Sequence, residues 1–99
     1  MKLWEDSTGR KWELSINVLS ARKLKTAHDV NLFEIEDGEF ITKLSKDVFL
    51  LSDILYTLSK TQADAAGIDT EKFGEALDGK AIDNATEAFL EELCDFSPH

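Results

Sequence analysis

The 99 residues include one cysteine, one proline, two histidines and five glycines. A single thiol, Cys94, excludes an intramolecular disulfide and fits a reducing compartment. One cysteine and two distant histidines, His28 and His99, do not supply the paired ligands of a zinc site. The glycines (Gly9, Gly38, Gly67, Gly74 and Gly79) are dispersed, so no glycine-rich phosphate cradle is present. Asp37-Gly38 and Asp78-Gly79 do not fit a calcium loop; after Asp78 the third position is Lys80, where an oxygen ligand is needed. No apolar run approaches the ~20 residues of a membrane span. The start, Met1 to Asp6, turns acidic at once and carries no signal-peptide core. Positive charge is scarce: 11 Lys and Arg face 20 Asp and Glu, a net charge of −9. Phosphate backbones and anionic lipids are poor global partners for such a chain. These absences predict an acidic, cytoplasmic protein with no membrane partner and no cofactor, and disfavour nucleic acid.

A 42% apolar and 31% charged composition suits a globular chain rather than a disordered one. At this length one domain, 1–99, is expected. The charge is uneven. Residues 1–28 carry six cations against three acids, while the remaining 71 carry five against 17. The molecule is therefore a dipole if the fold keeps these regions apart.

Trp12, Leu14 and Ile16 alternate with Glu13 and Ser15, the period of a half-buried strand. With Leu3-Trp4 and the turn-rich Asp6–Arg10, they predict a hairpin over about 2–16. Asn17 or Ser20 caps a first helix to about His28, with Val18, Ala21, Leu24 and Ala27 inward. Phe40, Ile41 and Leu44 suggest a short helix ending near Ser45-Lys46, after a break at Asp37-Gly38. Asp47 caps the clearest helix, in which Val48, Leu51, Leu55 and Leu58, widened by Ile54, form the inner stripe. It is expected to run to Ala66, with Gly67 as its stop. Asp69 caps a helix through Leu77, with Ile68 and Phe73 at hydrophobic-staple spacing. In the last helix Ile82, Ala85, Phe89, Leu93 and Phe96 face inward; Asp83, Glu87, Glu91, Glu92 and Asp95 fill much of the rest. The expected fold is α+β: an N-terminal β-hairpin packed on a bundle of four to five helices, the helical part spanning about 18–96.

Nucleophilic catalysis needs a nucleophile, a base and an orienting group in contact. Cys94 lies among Glu91, Glu92 and Asp95, unlike the electropositive surroundings of reactive cysteines. No catalytic residue is assigned, and the chain reads as a non-enzyme. Phe49, Tyr56 and Leu90 lie off the main stripes of their helices. They are candidate partner-binding residues, or else parts of helices buried all round. Arg10, Lys11, Arg22, Lys23 and Lys25, with Trp4 and Trp12 nearby, form a candidate basic patch for single-stranded nucleic acid. A basic helix face that is merely solvated explains the same residues. An acidic surface mimicking nucleic acid rests on net charge alone.

Five stretches in order carry a resemblance. They are Trp4-Glu5-Asp6-Ser7-Thr8-Gly9-Arg10-Lys11-Trp12, Ala27-His28-Asp29-Val30-Asn31-Leu32, Asp53-Ile54-Leu55-Tyr56, Gly67-Ile68-Asp69-Thr70-Glu71-Lys72-Phe73, and Leu93-Cys94-Asp95-Phe96. The pattern is similar to the tail assembly chaperones of long-tailed phages and related prophages. The resemblance spans nearly the whole chain, but its motifs are unspecific and include no catalytic signature. It implies a protein client, the helical tape-measure protein, coated by reversible burial of its apolar side chains along Phe49, Tyr56 and Leu90. It also implies self-association, so a homo-oligomer is expected. Two departures stand out. No frameshift product is evident from one chain, and the end Ser97-Pro98-His99 suggests a shortened form or the N-terminal domain of a longer protein. A generic bacterial adaptor or regulatory module is the alternative.

Overall fold

A computed structural model describes residues 2–32, 42–44 and 46–96. Its elements are β1 (Lys2–Glu5), β2 (Lys11–Leu14), α1 (Val18–His28), α2 (Val48–Leu58), α3 (Lys60–Ala66), α4 (Thr70–Glu75) and α5 (Gly79–Phe96). Residues 42–44 are also helical, with Leu44 buried. This is the expected α+β arrangement of a hairpin followed by helices. Expectations placed on Asp37-Gly38, Phe40, Ile41, Ser45 and residues 97–99 lie outside the described residues. No described helix is long and apolar enough to cross a membrane.

The hairpin is antiparallel, with Leu3 opposite Glu13 and Trp4 opposite Trp12. Period-2 alternation sends Trp4, Trp12 and Leu14 to one face, all buried. Trp4 and Trp12 stack at 5.9 Å between ring centroids and 16° between planes. Phe73 of α4 meets both edge-on, at 6.1 and 5.1 Å, a favoured geometry for aromatic quadrupoles. A two-stranded ribbon is marginal alone. Here β1 lies across α5, and α4 seals the aromatic face.

Asp6 organises the turn. Its Oδ1 accepts from the Thr8 amide (2.9 Å), the Thr8 hydroxyl (2.6 Å) and the Arg10 amide (3.1 Å). Its Oδ2 accepts from the buried Trp12 Nε1 at 2.9 Å. Burial opposes the Asp6 charge, but these hydrogen bonds, led by the Thr8 and Trp12 side chains, outweigh it and lower its pKa. Gly9 supplies the positive φ of 87° that closes the loop. The Ser7 amide donates to the Ala76 carbonyl at 2.9 Å, tying the loop to the end of α4.

The helices begin at side-chain caps. Asn17 accepts from the Ser20 amide, Asp47 from Leu50, Asp69 from Lys72 and Asp78 from Ala81, at 2.8–3.0 Å. α1 ends on Asp29 in the left-handed region, φ 55°, a conformation Asp tolerates better than most residues. The α1–α2 contact covers Ala21 and Leu24, but Val18, in the first turn of α1, is 61% exposed, and Ala27 is also exposed. Both depart from the expected inner stripe. So does Val48, exposed in the first turn of α2.

The expected single helix from Asp47 to Ala66 is two helices. A turn at Ser59 separates them, and no glycine or proline marks it. The turn carries α3 to the hairpin. There the Gln62 side chain accepts from the Glu13 amide at 3.0 Å and donates to the Lys11 carbonyl at 2.8 Å. Register places these two groups on the edge of β2 away from β1, so one glutamine caps an otherwise open strand edge. α4 stops at Glu75, short of the expected Leu77. On α5, Glu92 is buried rather than outward. At 100° per residue it falls within the arc of Ala85, Ala88 and Phe89. Its Oε2 accepts from the Ile16 amide at 3.4 Å. The core closes around Trp12, Leu14, Leu24, Ile54, Leu55, Phe73 and Phe89.

Candidate binding groove

An apolar concavity of about 510 Å³ lies between α1 and α2. Leu19, Thr26 and Ala27 line one wall, and Tyr56 and Thr57 the other. Arg22, Lys23 and Lys60 also line it. Helical period explains the assembly: 19, 22, 23, 26 and 27 follow the i, i+3, i+4 rule along one side of α1. Leu19 is 60% exposed there. At the far end His28 Nε2 meets Thr57 Oγ1 at 2.9 Å. Thr57 has a single hydroxyl proton, given to the Asp53 carbonyl at 2.8 Å, so His28 donates from Nε2.

Tyr56 belongs to both the groove and the core. Its ring packs edge-on to Phe73 at 5.3 Å, and its hydroxyl donates to the Ile68 carbonyl at 3.4 Å. Lys60 Nζ sits 5.5 Å from the Tyr56 ring centroid and 2.5 Å from Asp64 Oδ1. The Asp64 hydrogen bond is the main cause of a raised Lys60 pKa. Seven residues earlier on α2, Phe49 is 81% exposed. That interval is a rotation of 700°, so Phe49 and Tyr56 share a helix face about 10.5 Å apart. Leu90 lies half-buried on α5 against the core and does not line this groove. The three candidate partner-binding residues therefore form one pair and one separate position.

The five candidate basic residues are also divided. Arg10 and Lys11 stand exposed on the hairpin, where Lys11 lines a second concavity with Leu3, Glu13, Leu58 and Gln62. Arg22 and Lys23 belong to the α1–α2 groove, and Lys25 pairs with Asp29 at 2.6 Å. The expected dipole is partly cancelled as well, because Lys2 of β1 pairs with Glu91 and Asp95 of α5 at 3.7 and 4.0 Å. Arg22 and Lys23 make no ion pair among the described residues. Sequence reasoning missed Leu19, Ala27 and Lys60 as groove residues. Only the packing of α1 on α2 brings them together.

Cys94 is exposed at the far end of α5. Among the described residues, no group of three or more His, Cys, Asp or Glu side chains is placed to hold a metal ion. A scan against protein-family models finds no match to this chain, and neither the curated proteins nor the solved structures show one.

Proposed function

We propose that this chain is a non-catalytic protein-binding module that shelters an apolar helical segment of a client in the α1–α2 groove. This is the role implied by its resemblance to tail assembly chaperones, with a tape-measure-like protein as the client. The observation that carries the reading is the groove floor of Leu19, Ala27 and Tyr56, continued along α2 by the exposed Phe49. Leu19 to Ala27 spans eight residues, about 12 Å of helix, which fits two turns of a docked helix anchored at i, i+3, i+4 and i+7. Exposed aromatic and aliphatic side chains beside such a groove are the usual anchors of an interface. The division of the cations between hairpin and α1 speaks against a continuous nucleic-acid track.

The test is a titration of the full chain against a labelled helical peptide with leucines at i, i+3, i+4 and i+7 and uncharged flanks. Binding weakened at least tenfold by Leu19→Ser, with unchanged helical circular dichroism, supports the reading. No binding at millimolar protein sinks it. Co-expression with a tape-measure-like protein tests the client: its soluble yield rises with the wild type and not with Leu19→Ser/Phe49→Ser.

A further inference from the structure

We infer that the α1–α2 groove selects a client helix whose apolar anchors are flanked by acidic residues. The inference rests on the protein-binding reading above and names the chemistry of the partner. It starts from an asymmetry. The chain carries a charge of −9, yet three cations, Arg22, Lys23 and Lys60, line this apolar groove. Arg22 and Lys23 stand on the α1 wall and Lys60 on the α2–α3 wall, so a docked helix meets positive charge from both walls.

The availability of these cations differs. Lys2, Lys25 and Lys60 are each paired with an acid of this chain, whereas Arg22 and Lys23 have no such pair among the described residues. They sit six and five residues, about one and a half turns, before the end of α1. Lys60 is held over the Tyr56 ring with Asp64 beside it, both exposed. A client carboxylate exchanges with Asp64 at Lys60 and adds new pairs at Arg22 and Lys23. Asp53 is the acid of α2 nearest the groove face, and its position between Phe49 and Tyr56 repels a client acid there. That leaves room for apolar anchors over Leu19, Ala27 and Tyr56, with acids confined to the two flanks. A basic-flanked helix meets three cations instead and is rejected, which is how like charge produces specificity.

The experiment uses three labelled peptides with identical leucine anchors and glutamate, glutamine or lysine flanks, each titrated with the full chain by fluorescence anisotropy at two salt concentrations. The glutamate peptide is expected to bind roughly tenfold tighter than the glutamine peptide, as two or three exposed ion pairs allow. It should lose that advantage at high salt, and the lysine peptide should bind weakest. Arg22→Glu/Lys23→Glu should reverse the order of the glutamate and lysine peptides. Equal binding of all three peptides overturns the charge inference and leaves the groove reading intact. Binding by none overturns both. Concentration-dependent self-association abolished by Arg22→Glu/Lys23→Glu would show that the occupant is a second copy, presenting the acids of its α5, and would also overturn the inference.

Discussion

Replacing Asp6 should cost more stability than any other substitution of an acidic residue outside the helices. Four donors converge on its carboxylate, and they are not equivalent. The Thr8 and Arg10 groups lie in an exposed turn, and water replaces their bonds at about 0.5 kcal/mol each. Trp12 is fully buried, so its Nε1–H finds no water when the carboxylate is removed. An orphaned buried donor costs about 2 kcal/mol. Asp6→Ala should therefore lose roughly 3–4 kcal/mol, a large share of the 5–15 kcal/mol typical of a domain. Asp6→Asn keeps one oxygen for the Thr8 and Arg10 donors but turns an NH₂ toward Trp12, donor against donor. It should lose about 2 kcal/mol. The pH dependence has a definite sign. The folded-state pKa of Asp6 lies below the ordinary 3.8, so the carboxylate's contribution is complete above that value. It is lost as pH falls through the lower folded value. The gap between wild type and Asp6→Asn should be full at pH 7 and should shrink progressively below pH 3.8. Urea unfolding followed by helical circular dichroism measures this without relying on tryptophan emission, which the substitution itself perturbs. An Asn variant as stable as wild type at pH 7, or a gap that does not change down to pH 2, would refute the assignment of Asp6 as the organiser of the turn.

Three further substitutions test the packing. Gln62→Ala should cost about 1 kcal/mol and accelerate hydrogen exchange at the Glu13 amide, because the outer edge of β2 loses its side-chain partner; unchanged protection would show that the contact is incidental. Phe73→Ala should cost about 3–5 kcal/mol by emptying the space between Trp4, Trp12 and Tyr56. Phe49→Ala should stay within about 0.5 kcal/mol because its ring is 81% exposed, and equal losses in denaturant midpoints would contradict the placement of these two rings.

Local chemistry was legible where one residue type performs one local task. The caps Asn17, Asp47 and Asp69 were readable as short polar side chains ahead of apolar periodicity, and all three accept the expected amide. Gly67 ends α3 with φ 70°, as a glycine after a helix should. The alternation Trp12–Leu14–Ile16 was read from spacing alone, and all three are buried. The cluster Asp6-Ser7-Thr8-Gly9 was legible as a turn, but not as a buried carboxylate bonded to Trp12.

The failures share a cause. Nothing near Ser59 signals a break; α3 turns there to bring Gln62 onto the edge of β2, 49 residues away from Glu13. Glu92 resembles its acidic neighbours in sequence, yet it is buried at the end of the hairpin, where the Ile16 amide, 76 residues away, donates to it. Lys60 joins Arg22 and Lys23 because α1 lies on α2. By itself, the sequence determined the capped helix starts, the alternation of the hairpin and that the chain is acidic, because these depend on residues within about one turn of each other. Which polar groups are buried, where a long helix breaks and which cations meet over an apolar floor were decided by the tertiary structure, because each depends on groups that only packing brings within a few ångströms.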